Sequence, residues 1–266
     1  MRDTVDSKAA DKPQVALFVT CLVDLFRPSV GFASVELLQR AGCDVVVPEG
    51  QSCCGQPGYN AGDLAASRSV ARQFIATFEG YQYVVAPSGS CTAMVKHHYA
   101  SLLADEPDWL QRAEAVAERC YELSSFLVDI LQVDADQLTR HSTALSVSYH
   151  DSCAGLRELG IKQQPRTLLA GMAEVELTEM QDTHICCGFG GTFCAKLPDI
   201  SREMVDAKIA NAEASGAQLL LGGDMGCLLN IAGRISREGK ALEVRHFAEV
   251  LAGEIDDPAI ARGDKP

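Results

Sequence analysis

The sequence is poor in several features that would assign its class at once. It has one tryptophan and 6% aromatic residues, too few for surfaces built on stacked rings. Basic residues are scarce as well: 23 Lys and Arg stand against 36 Asp and Glu, a net charge of −13. That excludes nucleic acid as an expected partner, because phosphate binding runs on Lys and Arg contacts. No stretch approaches the roughly 20 apolar residues of a membrane span; the longest, Val15 to Phe26, carries Asp24. The opening Met1-Arg2-Asp3-Thr4-Val5-Asp6 lacks the apolar centre of an export signal. No Gly-x-Gly-x-x-Gly turn, Walker loop or Ser-His-Asp arrangement stands out, so a hydride-accepting cofactor would have to come from a partner. There is no C-x2-C pair either, the knuckle from which structural zinc sites are made.

Cysteine is what the chain has in quantity, and it is placed twice in the same layout. Cys21, the pair Cys53-Cys54 before Gly55, and Cys91 read C-x31-CC-x36-C. Cys153, the pair Cys186-Cys187 before Gly188, and Cys227 read C-x32-CC-x39-C. Corresponding cysteines are 132, 133, 133 and 136 residues apart, and the pattern takes eight of the eleven. Such a repeat points to soft-metal chemistry installed once in each half. With no export signal, this many cysteines imply a reducing compartment, where such patterns bind metals or react more often than they form disulfides. The expected location is the cytoplasm.

A length of 266 residues suits two domains of ordinary size. The reading is a disordered segment over 1–13, a first domain over 14–140, a second over 141–255 and a flexible tail over 256–266. Short apolar runs alternate with helical patterns in both halves, which predicts parallel βαβ units and an α/β fold. In the first half, a strand over Val15–Thr20 is expected to end at Cys21. A helix over Ser29–Ala41, a strand over Asp44–Val47, a helix over Asp63–Phe78 and a strand over Tyr83–Ala86 follow. The second half answers with strands Leu145–Tyr149, Val175–Leu177 and Leu219–Leu221 and helices near Pro165–Met172 and Asp199–Ser215. One helical stretch from Trp109 to about Val133 is expected to join the halves. In each half the cysteines follow the carboxyl ends of strands, the edge at which parallel sheets bind ligands. Residues distant in sequence would therefore meet in one pocket.

Four thiolates per half match the ligand count of an iron–sulfur cluster. The glycines after each pair let backbone N–H groups approach sulfur. Adjacent cysteines fit a simple cubane awkwardly, because neighbouring side chains diverge. Zinc, metal-free redox thiols and disulfides are the competing readings. Cys43 and Cys120 read as buried packing residues, and Cys194, without a counterpart in the first half, is left open between packing and cluster contact.

The duplicated pattern resembles the cysteine-rich CCG domain found in heterodisulfide reductase and in the iron–sulfur subunits of glycolate oxidase and anaerobic glycerol-3-phosphate dehydrogenase. The stretches Phe18-Val19-Thr20-Cys21, Cys53-Cys54-Gly55-Gln56-Pro57, Gly89-Ser90-Cys91-Thr92, Cys186 to Phe193 and Cys227-Leu228-Leu229-Asn230-Ile231 are most similar to the two-CCG A components of lactate utilisation complexes. The resemblance spans about 14–252. It implies an α/β protein of two pseudo-symmetric CCG domains, each a small, mainly parallel sheet flanked by helices. It also implies iron–sulfur clusters of [4Fe–4S] type, at most one per domain, held by Cys21, Cys53, Cys54, Cys91, Cys153, Cys186, Cys187 and Cys227. The implied role is electron transfer in a multi-subunit system oxidising L-lactate to pyruvate. The implied partners are a ferredoxin-type iron–sulfur protein and a smaller subunit. The fuller CCG pattern ends in C-x2-C; here Ser88 and Asp224 stand where its earlier cysteine would be, which puts the unusual non-cubane cluster of the reductase in doubt. A reductase of disulfide or thiol-linked substrates, and a zinc- or thiol-based interaction module, are the alternatives in function.

Four histidines and two arginines complete the inventory. His97 and His98 are neighbours on a predicted helix, cannot share a ligand and read as exposed or capping. His150 and Asp151, just before Cys153, and His184, just before Cys186, are close enough to tune a cluster or move a proton, though a purely structural role is favoured for them. Arg27 and Arg157 each follow the first cysteine of their half; a helix-face ion pair is favoured for them over a carboxylate anchor.

Overall fold

A computed structural model describes residues 12–138 and 144–262. The predicted disorder of 1–11 and the tip of the predicted tail, 263–266, lie outside the described residues, as does most of the predicted domain junction. Eight strands form two four-stranded parallel sheets. In the first half these are β1 (Gln14–Leu17), β2 (Asp44–Val46), β3 (Tyr83–Ala86) and β4 (Cys120–Glu122), in the order β2-β1-β3-β4. In the second they are β5 (Leu145–His150), β6 (Val175–Leu177), β7 (Leu219–Gly222) and β8 (Glu243–His246), in the order β6-β5-β7-β8. The orders are the same with numbers shifted by four, so the cysteine repeat is a repeat of fold. The α/β expectation holds.

Local chemistry sets the elements. β1 and β3 are short β-branched and apolar runs, paired in parallel register from Val15 with Tyr83 to Leu17 with Val85. The helix Leu64–Phe78 begins where the Asp63 carboxylate accepts the Ala66 N–H at 3.0 Å, a cap worth about 1 kcal/mol. β1 stops at Leu17, short of the predicted Thr20, because Thr20 has φ 73° and cannot continue a strand. A short helix, Cys21–Phe26, then starts on the first motif cysteine.

The single linking helix expected between the halves is not there. The helix Pro107–Arg119 ends at β4, which supplies the fourth strand of the first sheet. β8 plays that part in the second sheet. Both fourth strands end in a buried polar residue that caps the following turn. Glu122 accepts the N–H groups of Ser124 at 2.8 Å and Ser125 at 3.1 Å. His246 accepts the Ala248 N–H through Nδ1 at 3.2 Å.

The two halves share a core. Val15, Leu17 and Val85 of the first sheet and Val147, Tyr149, Leu219 and Leu221 of the second belong to one apolar cluster with Leu37, Phe126 and Phe247. The helices Pro28–Arg40 and Phe247–Ala252 pack on each other inside it. Each sheet also has an outer core, that of the first half being built on Phe18, Phe74, Phe78 and Tyr99. Residues 256–262, expected within the flexible tail, lie on β8. There the Ile260 N–H donates to the Val244 carbonyl at 3.0 Å, and Arg245 donates to the Asp257 carbonyl at 2.6 Å. Among the described residues no helix is long and apolar enough to cross a membrane.

Candidate metal centres

The carboxyl edges of β1 and β3 bring Cys21, Cys53, Cys54 and Cys91 together. Cys21 Sγ lies 3.6 Å from Cys53 Sγ, and Cys54 is near enough to Cys53 and Cys91 for both to raise its thiol. The second sheet repeats the arrangement: Cys153 and Cys187 both lower Cys186, and Cys186 and Cys227 both raise Cys187. All eight motif cysteines thus gather in two groups of four.

The first member of each adjacent pair is set apart electrostatically. Hydrogen bonds from Cys21 and Cys54, with the Gly55 N–H, hold Cys53 far below the usual thiol range. Cys186 is lowered in the same way by Cys153, Cys187 and the Gly188 N–H. The two N–H to Sγ distances are both 3.4 Å. Cys21 and Cys153 are raised, chiefly because each hydrogen-bonds to that neighbouring thiolate and is partly buried.

Glycine makes this geometry accessible. Gly55 and Gly188 have φ of 84° and 81°, the left-handed region open to glycine, and each donates its N–H to the sulfur two residues earlier. A Cβ on Gly188 would sit 2.6 Å from the Ser201 carbonyl oxygen. The second cysteine of each pair is fixed by its carbonyl: Tyr99 Oη donates to Cys54 O at 2.9 Å, and Asn230 Nδ2 donates to Cys187 O at 2.8 Å. Sequence reading missed both anchors, as it missed Gln51, which bridges Leu17 O and Val19 N beneath Cys21 at 3.0 Å each.

Ser88 and Asp224 do different work from the cysteines they replace. Each caps the helix carrying the last cysteine of its half, Ser88 accepting the Cys91 N–H and Asp224 the Gly226 N–H. Asp224 also accepts the Ser90 N–H at 2.9 Å and the Ser88 hydroxyl at 3.3 Å, so the two positions join the halves. Gly89 and Gly155 meet at the same seam, where a Cβ on Gly89 would lie 3.0 Å from Gly155 Cα.

The remaining candidates separate. Cys43 and Cys120 are buried in apolar clusters, and burial pushes their thiols up to about 11 and 12. Cys194 lines a surface groove with Arg202, Arg234 and Arg237. Arg27 is tied to Glu249 at 2.7 Å and to the Pro258 carbonyl, an ion pair between halves rather than along one helix. Arg157 donates to the His184 carbonyl at 3.3 Å, and the His184 side chain is exposed. His97 is exposed, while His98 pairs with Glu158 at 3.0 Å and lies tilted against the Tyr59 ring. Asp151 is gripped by both terminal nitrogens of Arg166. His150 is buried, and neither ring nitrogen has a partner among the described residues. One of those nitrogens and the Cys187 and Cys227 sulfurs lie within 4.8 Å of one another.

Both centres reach solvent. A cavity of about 390 Å³ opens beside Cys21 and Cys53. Another of about 360 Å³ lies over Cys153, Cys186, Cys187 and Cys227, walled on its far side by Gln56, Tyr59 and His98 of the first half. Gathered soft sulfur donors, pre-aimed N–H groups and a buried imidazole with free nitrogens fit a bound metal centre better than they fit packing.

The cysteine-rich domain of the CCG family matches residues 15–96 and again 147–232. The chain belongs to that family. It is 48% identical over 238 residues to lactate utilization protein A of Bacillus licheniformis, covering 90% of this chain and 98% of that one. Proteins of the same name from Bacillus subtilis (47%, covering 90% and 98%) and Halalkalibacterium halodurans (48%, covering 90% and 96%) are similar over the same length. A hypothetical protein from Helicobacter pylori shares the fold, with a TM-score of 0.64 at 9% identity, over 95% of this chain and 49% of that one. As a CCG protein with relatives matched end to end, the chain carries both copies of the domain, and the two cysteine groups coincide with them.

Proposed function

We propose that the chain is the iron–sulfur electron-transfer component of a multi-subunit system that oxidises L-lactate to pyruvate. The observation that carries this is the gathering of four thiols at each sheet edge, in a chain whose full-length relatives are named for lactate utilisation. Cys21, Cys53, Cys54 and Cys91 would hold one centre, and Cys153, Cys186, Cys187 and Cys227 the other, each of [4Fe–4S] type. Such a cluster, when bound, takes up and passes on single electrons.

The protein's own residues set the conditions for that. The N–H groups of Gly55 and Gly188 neutralise part of the charge on Cys53 and Cys186, which favours a more reduced centre. Tyr99 and Asn230 keep Cys54 and Cys187 in place. The cavity openings give each centre a path to a partner. The proposed partners are a ferredoxin-type iron–sulfur protein and a smaller subunit, in the cytoplasm. The net charge of −13 suits docking onto basic patches, which added salt weakens. Reduction of a disulfide or thiol-linked substrate is a second reading, supported by the cavity between the halves over the second cysteine group.

The test is anaerobic purification with iron and sulfide analysis, followed by lactate-dependent dye reduction. The loaded protein alone is expected to be inactive with lactate and to become active when its partners are added. Robust turnover by the isolated chain would overturn the division of labour, and absence of iron and sulfide would overturn the centres themselves.

A further inference from the structure

The two halves share topology, cysteine spacing and capping, yet beneath their cysteine groups they differ in one pair of side chains. Phe18 stands three residues before Cys21, and His150 three before Cys153. The outer helices align as well, because Gly55 abuts the Ser67 carbonyl as Gly188 abuts that of Ser201. Seven residues beyond each serine stand Phe74 and Lys208. In the first half, Phe18 and Phe74 pack edge to face with centroids 4.9 Å apart, inside an apolar cluster. In the second half these two places hold an imidazole and an ammonium, both buried.

Lys208 accounts for itself. Its Nζ donates to the carbonyls of Asp182 at 3.1 Å and Thr183 at 2.9 Å, fixing the loop that leads into Cys186. His150 does not. It is 1% exposed and neither ring nitrogen has a partner among the described residues. An imidazole so placed leaves hydrogen-bonding capacity unmet, a cost that a phenylalanine at this place in the other half does not incur. Its neighbours on the cavity side are the Cys187 and Cys227 thiols.

We propose that His150 supplies a nitrogen ligand to the metal centre of the second half, so that the two halves hold inequivalent centres. The first is surrounded by thiolates over aromatic rings, the second by thiolates and one imidazole. This rests on the reading that the four cysteines of the second half hold a metal centre. Imidazole in place of, or in addition to, thiolate lowers the negative charge on a centre and raises its potential. The second centre, when bound, would be the stronger electron acceptor of the two.

The test uses full-length protein reconstituted anaerobically with iron and sulfide and labelled with ¹⁵N-histidine. Cys53→Ser is added to suppress the first centre. Pulsed electron paramagnetic resonance is recorded in the paramagnetic state reached by stepwise titration, together with the midpoint of that state. The expected result is a coupling of the size of directly bound nitrogen, assigned to histidine by the label. It disappears in the double variant His150→Phe/Lys208→Phe, which copies the packed pair of the first half, and the midpoint moves to lower potential in His150→Gln. If the double variant does not fold, His150→Gln provides the same spectral comparison. Iron bound in the second half with no histidine coupling, or a coupling that survives both variants, overturns the ligand assignment alone. A second half that binds no iron overturns that assignment and the metal-centre reading together.

Discussion

Cys53 and Cys186 are chemically distinct from the other cysteines of their groups, because two thiols and a backbone N–H all point at each sulfur. Replacing a gathered cysteine with serine substitutes a harder ligand that ionises less easily. Cys53→Ser or Cys187→Ser is expected to remove the centre of its own half, roughly half the bound iron if each half carries one cluster. Cys43→Ser and Cys120→Ser, at buried apolar positions, should leave iron content unchanged. Iron and sulfide analysis of anaerobically prepared variants checks both. Glu122 offers a second measurement at this scale. Burial raises its carboxyl to about 7 against an ordinary 4.5, although the Ser124 and Ser125 contacts pull the other way. The folded state therefore keeps a proton that the unfolded state releases. The contribution is fully present below pH 4.5, is lost as pH rises, and is gone above 7. Between about pH 5 and 8 the wild type should lose about 2 to 3 kcal/mol that Glu122→Gln retains, read from denaturant midpoints of the two proteins across that range.

The elements that carry the cysteines depend on backbone geometry more than on composition. Gly55 and Gly188 adopt nearly the same positive φ, but their surroundings differ. A Cβ on Gly55 would meet Val70 Cγ1 at 3.4 Å, an ordinary contact, whereas on Gly188 it would press on a helix carbonyl at 2.6 Å. Both Gly→Ala substitutions incur the left-handed strain, about 1 kcal/mol, and Gly188→Ala must also shift the helix Pro198–Ala214. It is expected to be the more destabilising variant and to lose metal from its half, with Gly55→Ala retaining most of its own. Equal loss in the two, by metal analysis and thermal unfolding, would show that strain and not the helix contact dominates. The fourth strands belong to this scale too. Cys120-Tyr121-Glu122 and Glu243-Val244-Arg245-His246 are edge strands of three and four residues, half of them polar. Local pattern cannot separate so short and mixed a run from the end of a helix. Only pairing with β3 and β7 makes them strands.

At the scale of the molecule the repeat is not a pair of independent beads. Leu37 and Phe126 from one half and Phe247 from the other fill a common core. Arg27 pairs with Glu249, His246 contacts the Pro87 carbonyl at 3.2 Å, and Asp224 holds Ser88 and Ser90. Separating the halves would expose that core to water and take Arg27 and Ser29 away from Glu249. Residues 14–140 and 141–255 expressed separately are therefore expected to be insoluble or molten. Mixing them during refolding should restore a cooperative transition, detectable by near-ultraviolet circular dichroism. Two cooperatively folded halves obtained alone would contradict this.

The sequence by itself determined the duplication, the α/β class and the eight cysteines that gather, because spacing after strand ends is a local property that a parallel sheet converts into proximity. It also separated Cys43 and Cys120 from the rest, since neither fits the repeat. Tertiary structure alone decided what surrounds the cysteines. Tyr99 and Asn230 reach the pairs from helices 45 and 43 residues away in sequence, and Arg27 finds Glu249 across 222 residues. The contrast between Phe18 with Phe74 and His150 with Lys208 becomes visible only when two helices are superposed through their contacts with Gly55 and Gly188. Such partnerships depend on which faces the packed sheets bring together, and no spacing along the chain encodes them.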